Sequence, residues 1–121
     1  MAESERNWAE PKWQQYGKHR PPPNIGKKEL IERTGQSEGI AYYHRFISLV
    51  EQEKMELACI ANGIFFREHR HKRMYFMDTR HIIGASDGAE TSLLYVEHLS
   101  GGEVHGRPIT VDELRRKGAK L

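Results

Sequence analysis

Apolar positions recur at three- and four-residue intervals between residues 27 and 50, which is the spacing of amphipathic helices. The stretch Thr34-Gly35-Gln36-Ser37 interrupts this pattern. We expect a short first helix to end there through a left-handed cap, and a second helix to begin at Ser37 as its N-cap residue. The second helix would have an apolar face formed by Ile40, Tyr43, Ile47 and Val50. The pattern predicts a helix-turn-helix over residues 27–50.

The opposite face of the second helix carries Tyr42 and Arg45. An aromatic ring and a guanidinium group on an exposed helix suit contact with DNA, because arginine can bond both phosphate and guanine. Tyr42 and Arg45 are therefore the candidate residues for contact with base edges.

Beyond residue 54 the pattern favours a hairpin. Asn62-Gly63 is a strong two-residue turn signal, and it separates apolar runs over residues 55–61 and 64–67. A further apolar run at residues 74–77 follows a basic segment. We expect strands on both sides of that segment, which makes it a loop whose cations contact phosphate: Arg67, Arg70, Lys72 and Arg73. The expected wing spans residues 55–78, and Asp78 or Thr79 would cap a helix after it.

Residues 28–50 resemble the helix-turn-helix of MerR-type regulators and of the related phage excisionases. Leu30-Ile31 matches the apolar pair of that motif, Thr34-Gly35-Gln36-Ser37 its turn, and Leu49-Val50 its closing pair, while Tyr43 falls on its first tyrosine. Tyr42 stands at the arginine position of the motif, and Arg45 is the residue that could substitute. The resemblance implies a winged helix-turn-helix that binds double-stranded DNA as a small regulator or architectural factor.

A second architecture stays open for the same residues. If Gly63 is tolerated inside a helix, residues 40–64 form one long helix followed by a basic loop and a short third helix. That arrangement resembles the histone fold, and its basic loop would also contact DNA phosphate.

The C-terminal part predicts another hairpin and a short helix over residues 86–121. Apolar runs at residues 92–99 and 104–110 flank a glycine-rich turn, although Leu93, Val96 and Leu99 also fit a helix. Thr110 is expected to cap the last helix. The predicted fold is thus α+β, a small winged helix-turn-helix-like domain with β-hairpins over residues 25–121.

Residues 1–24 are expected to form a flexible, extended tail, because they contain four of the five prolines and show no periodicity. The tail nevertheless carries Trp8, Trp13 and Tyr16, and a solvated tail gains nothing from large aromatic groups. Either these residues dock back across the domain, or they bind a protein partner.

Composition limits the function classes. The 121-residue chain has a formal net charge of +2, but the basic segments over residues 67–73 and 115–120 suit a phosphate-bearing partner, with a solvated loop as the alternative. The apolar runs are too short to cross a bilayer, and a single cysteine, Cys59, fits a reducing compartment. We expect an intracellular location, in cytoplasm, nucleoid or nucleus. Ala119-Lys120-Leu121 resembles variants of the peroxisomal address, which would matter in a eukaryote.

No catalytic motif is recognisable, and we predict no cofactor. His69, His71 and His81 are the candidates for a metal site, but their spacing matches no established ligand pattern. The alternative to nucleic-acid binding is a non-catalytic subunit or adaptor of a protein or ribonucleoprotein assembly. Either function is compatible with a homodimer.

Overall fold

The computed structural model describes residues 8–14 and 17–121, so that Tyr16 lies outside the described residues. Within these ranges the protein is mixed α+β, as predicted, with three helices and two antiparallel sheets. None of the described helices is long and apolar enough to cross a membrane. The elements in chain order are α1 (Lys27–Thr34), β1 (Ala41–Tyr43), α2 (Leu49–Asn62), β2 (Ile64–His69), β3 (Lys72–Asp78), β4 (Gly84–Ser86), β5 (Ala89–Thr91), β6 (Leu93–Leu99), β7 (Val104–Pro108) and α3 (Val111–Arg116).

The larger sheet has the strand order β2-β3-β6-β7, and helices cover its two faces. Side chains alternate between the faces along each strand. The first face packs against α2, and its buried cluster comprises Tyr43, Ile47, Cys59, Ile83, Leu94, Val96 and Val104. The second face is partly covered by α3 through Met74, Phe76, Tyr95, Ile109, Leu114 and Ala119.

The smaller sheet, β1-β4-β5, packs beside α1. Ala41 pairs with Ser86 and Tyr43 with Gly84. The Thr34 hydroxyl accepts a hydrogen bond from the Gly88 amide at 2.9 Å, which ties the end of α1 to the turn between β4 and β5.

The helix-turn-helix predicted over residues 27–50 is wrong in its second half. α1 is present, but Gly35 ends it with φ −87° rather than in a left-handed conformation. The left-handed residue is Gly39, with φ +82°. It is followed by strand β1, where Tyr42 and Tyr43 suit a pleated, half-buried surface better than a helix. Tyr43 and Ile47 are buried as expected, yet they reach the core from a strand and a turn.

Helix α2 begins at Leu49, eleven residues beyond the predicted start. The Ser48 side chain accepts from the Glu51 amide, and the Glu51 side chain accepts from the Ser48 amide, which is a complete capping box. The strand predicted over residues 55–61 is therefore helix, and the single helix over residues 40–64 is also wrong. Both predictions missed the cap at Ser48.

Asn62-Gly63 ends α2 and starts β2 instead of turning a hairpin. A β-carbon at Gly63 would overlap the Cys59 carbonyl and lie 2.8 Å from the Phe76 carbonyl, so the close approach of helix and sheet requires glycine. The helix expected after Asp78 or Thr79 is wrong as well. Asp78 Oδ1 accepts from the Arg80 amide at 2.9 Å in a turn, and Arg80 has φ +67°.

The other hairpins match the prediction. β2 and β3 pair across the basic segment, and β6 and β7 pair across the glycine-rich turn, which excludes a helix over residues 93–99. Thr110 caps α3 in a second capping box with Glu113.

Residues 8–14, which we call the N-terminal strap, dock back across the domain. The Ala9 amide donates to the Ser100 carbonyl at 2.9 Å, and the Lys12 amide donates to the Gly102 carbonyl at 2.7 Å. The Trp13 ring packs against the core beside α2. The docking alternative is thus the one observed for the described part of the tail.

Candidate functional site

The basic run of the sequence forms the end of the β2–β3 hairpin. His69 pairs with Lys72, which leaves Arg70 and His71 as the two turn residues, and Arg70 takes a left-handed φ of +56°. Because Glu68 pairs with Arg73, these two side chains lie on the α2 side of the sheet. The basic segment is thus divided between the two faces and the hairpin tip.

Arg73 is occupied by contacts inside the chain. Its Nε lies 3.2 Å from Glu68 Oε1, and its guanidinium carbon lies 4.2 Å from the centre of the Trp8 ring. The Trp8 ring also contacts the His98 ring at a centroid distance of 5.5 Å. These contacts hold the strap, so that Arg73 has a structural role that competes with the predicted contact to phosphate.

On the second face, the basic hairpin meets the basic C-terminal segment. Arg67 Nη1 donates to the Lys117 carbonyl at 3.0 Å, across 50 positions of sequence. Lys117 Nζ lies 4.9 Å from the centre of the Tyr95 ring, and the Arg107 guanidinium lies 5.7 Å from it. Arg107 and Lys117 therefore lie against the ring of the buried Tyr95, Arg67 is tied to Lys117, and Lys72 lies beside Glu97. We call these four cations, which come from different parts of the chain, the basic face: Arg67, Lys72, Arg107 and Lys117.

Two carboxylates oppose these four cations. Glu97 accepts a 2.6 Å hydrogen bond from the Tyr95 hydroxyl and lies 3.7 Å from Lys72 Nζ. Glu113 lies 3.3 Å from Arg107 Nη2. The basic face thus keeps an excess of positive charge.

Burial and a neighbouring cation both change the pKa of Lys117. Burial lowers the pKa of this ammonium group, and the neighbouring Arg107 guanidinium lowers it further. A bound anion would counter both effects, because it stabilises the charged form of lysine. Burial and the hydrogen bond to Glu97 raise the pKa of Tyr95, so this residue stays neutral.

The basic face opens into a cleft beside β7 with a volume of about 540 Å³. Its lining includes Lys18 and His19 from the segment before α1, and His105 and Arg107 from β7. Burial lowers the pKa of His19, and Arg107, Lys18 and His105 lower it further although the Ala41 carbonyl raises it. The cleft lining holds four lysine and arginine side chains, Lys18, Lys72, Arg107 and Lys117, against the two carboxyl groups of Glu56 and Glu97.

Glu56 lies at the base of this cleft and connects three elements. Its carboxylate accepts from Trp13 Nε1 at 2.9 Å, from the Tyr43 hydroxyl at 2.6 Å and from Gln52 Nε2 at 3.1 Å. Burial raises the pKa of Glu56, and the three hydrogen bonds act in the opposite direction. Because its carboxylate is fully engaged, Glu56 anchors the strap and β1 to α2.

The residues predicted to contact DNA bases do not lie on an exposed helix. Tyr42 is half-buried in β1. Arg45 donates to the Pro22 carbonyl at 2.9 Å and to the Ile25 carbonyl at 3.0 Å, and so holds the proline-rich segment. The predicted position of this pair on the exposed face of a helix is therefore wrong, and their contact with base edges stays a prediction.

The structure also locates the predicted partner-binding tryptophans and the predicted metal-binding histidines. Trp8 and Trp13 contact the chain itself, whereas Tyr16 lies outside the described residues. His69 ends β2, His71 lies in the hairpin turn and His81 lies in the loop before β4. Within residues 8–14 and 17–121, no group of three histidine, cysteine or acidic side chains could hold a metal ion.

Sequence reasoning found Arg67 and Lys72 but missed Tyr95, Arg107 and the cleft residues. The basic stretch that ends with Lys117 was visible, but nothing in the sequence indicated that it would meet the hairpin. Comparisons with protein-family models, with curated proteins and with solved structures find no significant match to this chain.

Proposed function

We propose that this protein binds nucleic acid through the phosphate backbone, using the basic face and the adjoining hairpin tip. The observation that carries the proposal is the meeting of two basic segments, marked by the hydrogen bond from Arg67 to the Lys117 carbonyl. A solvated charge run would have no reason to converge with a second one, since like charges repel.

The arrangement suits a row of phosphates. Lys72 belongs to the hairpin and also borders the cleft, so that it links the exposed Arg70 at the tip with Lys117 and Arg107. Each phosphate that such a cation neutralises releases condensed counterions, which supplies affinity without base recognition. A backbone-binding architectural factor is therefore a better fit than a regulator that reads sequence with Tyr42 and Arg45.

The proposal can be tested by removing charge while keeping side-chain length. We expect the double variant Lys72→Gln/Lys117→Gln to bind labelled duplex and single-stranded oligonucleotides about tenfold or more weakly. The slope of log affinity against log salt should fall by about 1 to 2 units, because two phosphate contacts are lost.

The matched control is Lys28→Gln/Lys54→Gln, which removes two exposed lysines from α1 and α2 and keeps the same net charge as the test variant. This control should bind like the parent. If both double variants weaken binding equally, only the net charge matters and the basic face is not the binding surface.

A second candidate function, a subunit or adaptor in a larger assembly, has one observation in its favour. β2 is an edge strand of the larger sheet, and its Ile64 and Phe65 side chains are 56% and 52% exposed. An apolar edge strand can accept a strand from a partner protein. Co-purification of a protein that is lost with Ile64→Thr/Phe65→Thr, without any nucleic-acid binding by the parent, would favour this function.

A further inference from the structure

The cleft beside β7 differs from the rest of the basic surface because it is concave and of limited size. Its volume of about 540 Å³ lies within the range of pockets that bury one small molecule. A double helix cannot enter such a cleft. One nucleotide from an unpaired strand can do so, because its base and sugar are free to leave the strand axis.

The cations of the cleft come from four separate parts of the chain. Lys18 precedes α1, Lys72 begins β3, Arg107 lies in β7 and Lys117 follows α3. Such convergence toward one concave site is what a phosphate group requires. Two of these cations are neighbours, because Lys117 Nζ and the Arg107 guanidinium lie 4.9 and 5.7 Å from the centre of the same Tyr95 ring.

The same cleft offers groups for the remainder of a nucleotide. His19 and His105 are close enough for their charges to interact, and both have flat rings on which a base can stack. Gly39 also lines the cleft, and a β-carbon there would have no atom within 4 Å, so exposed backbone at this position leaves room for a planar ligand.

We infer that this cleft binds one phosphate-bearing nucleotide unit of a single strand, with the phosphate at Lys18, Arg107 and Lys117. The inference rests on the proposed binding of nucleic acid, and it adds a preference for unpaired strands. Neighbouring phosphates of the strand would lie along Lys72 and the hairpin. The same chemistry could also be supplied by a free nucleoside monophosphate.

The test uses a fluorescent 12-nucleotide single strand, the blunt duplex of the same sequence and uridine monophosphate as a competitor. The informative variant is Lys18→Ala, because Lys18 is exposed, lines the cleft and lies apart from the hairpin. We expect the parent to bind the single strand at least about fivefold more tightly than the duplex. Lys18→Ala should lose about fivefold or more on the single strand and less than twofold on the duplex, whereas Lys28→Ala should match the parent on both.

The competitor separates the two sources of the nucleotide. If uridine monophosphate displaces the single strand at millimolar concentration and Lys18→Ala weakens its binding, the free nucleotide is an occupant as well. If the parent binds only the free nucleotide, in a Lys18-dependent manner, the cleft is a site for free nucleotides, and both the single-strand inference and the proposed nucleic-acid binding are overturned.

The experiment also shows whether the cleft inference fails while the proposed function holds. Equal binding of single strand and duplex, with Lys18→Ala like the parent and Lys72→Gln/Lys117→Gln impaired, would retain the proposed function and overturn the cleft inference. A parent that binds none of the three probes would overturn both. If Lys18→Ala has the same melting temperature as the parent, any loss of its binding affinity arises at the cleft and not from unfolding.

Discussion

At the scale of single residues, Gly106 is the position where strand β7 passes closest to the buried Glu56. A β-carbon there would overlap the carboxyl group of Glu56, which is itself fixed by three hydrogen bonds. The carboxylate cannot move away without losing Trp13 or Tyr43 as a donor. The hydrogen bonds of Glu56 therefore form only because residue 106 has no side chain.

We expect Gly106→Ala to destabilise the protein by about 1 to 3 kcal/mol, because the added methyl group overfills a rigid site. The measurement is the free energy of unfolding from urea titration. Gly17→Ala is the matched control, since a β-carbon at Gly17 would have no atom within 4 Å. Equal effects of the two substitutions would mean that β7 and Glu56 are not packed as described.

A second residue, Glu113, makes the free energy of unfolding depend on pH. Burial pushes the pKa of Glu113 upward, but hydrogen bonds from Ser86 and from the Thr110 amide, together with the Arg107 charge, outweigh it and lower the pKa overall. The unfolded state then binds the proton more readily than the folded state. The stabilisation is therefore present above the ordinary glutamate pKa of about 4.3 and is lost as pH falls through the lower folded value.

We expect the parent to lose stability steeply below about pH 4.5 and Glu113→Gln to lose less over the same interval. Urea unfolding at pH 3 to 7 measures this difference. Glu53→Gln, on the exposed side of α2, serves as the control and should follow the parent curve. Parallel curves for Glu113→Gln and the parent would contradict the role given to the Glu113 hydrogen bonds.

At the scale of elements, the strap is joined to α2 by the hydrogen bond from Trp13 Nε1 to Glu56 Oε1. Trp13→Phe keeps an aromatic ring and removes this donor, which leaves a buried carboxylate oxygen unsatisfied. We expect a loss of about 1 to 3 kcal/mol, measured by thermal unfolding together with faster proteolytic cleavage near residues 8–14. Trp13→Ala should cost more, because it also removes the packing of the ring.

An unchanged melting temperature and an unchanged cleavage rate in Trp13→Phe would contradict this account. They would show that the strap is held by its backbone hydrogen bonds to Ser100 and Gly102 alone.

The elements that the sequence predicts well are those whose signals are local. The β6–β7 hairpin has two apolar runs on either side of a glycine-rich turn, and α3 has its capping box at Thr110 and Glu113. Strand β1 is different, because Ala41 pairs with Ser86, 45 positions later, and no short window contains that partner. Tyr43 and Ile47 are four positions apart, as on one face of a helix, but this spacing is a coincidence. Tyr43 reaches the core from a strand and Ile47 from a turn.

The residues of the basic face also divide into those with a local sequence signal and those placed by distant contacts. The cations of the hairpin are consecutive and visible in the sequence, so Arg67 and Lys72 could be predicted. The positions of Arg107 and Lys117 depend on the register of β7 against β6 and on where α3 ends, which are outcomes of tertiary packing. The contact of Arg73 with Trp8 could not be predicted, because Trp8 lies 65 positions earlier.

At the scale of the whole molecule, the charges are unevenly distributed over the surface, although the net charge is only +2. Basic residues collect on the second face of the larger sheet and in the adjoining cleft, while α2 carries Glu51 and Glu53 on its exposed side. A local excess of this kind can attract a polyanion when the overall charge cannot. The salt-slope comparison proposed above measures this local excess directly.

The strap also gives the protein an internal optical reporter. Both tryptophans of the chain, Trp8 and Trp13, lie in the strap, and the strap contacts residues about 90 positions later, as in the bond between His98 and the Ala9 carbonyl. Contacts over such a distance close a long loop and form after local ones. Tryptophan emission will therefore follow the docking of one terminal segment, whereas far-ultraviolet circular dichroism follows the helices and sheets, and the two signals will separate in time during refolding.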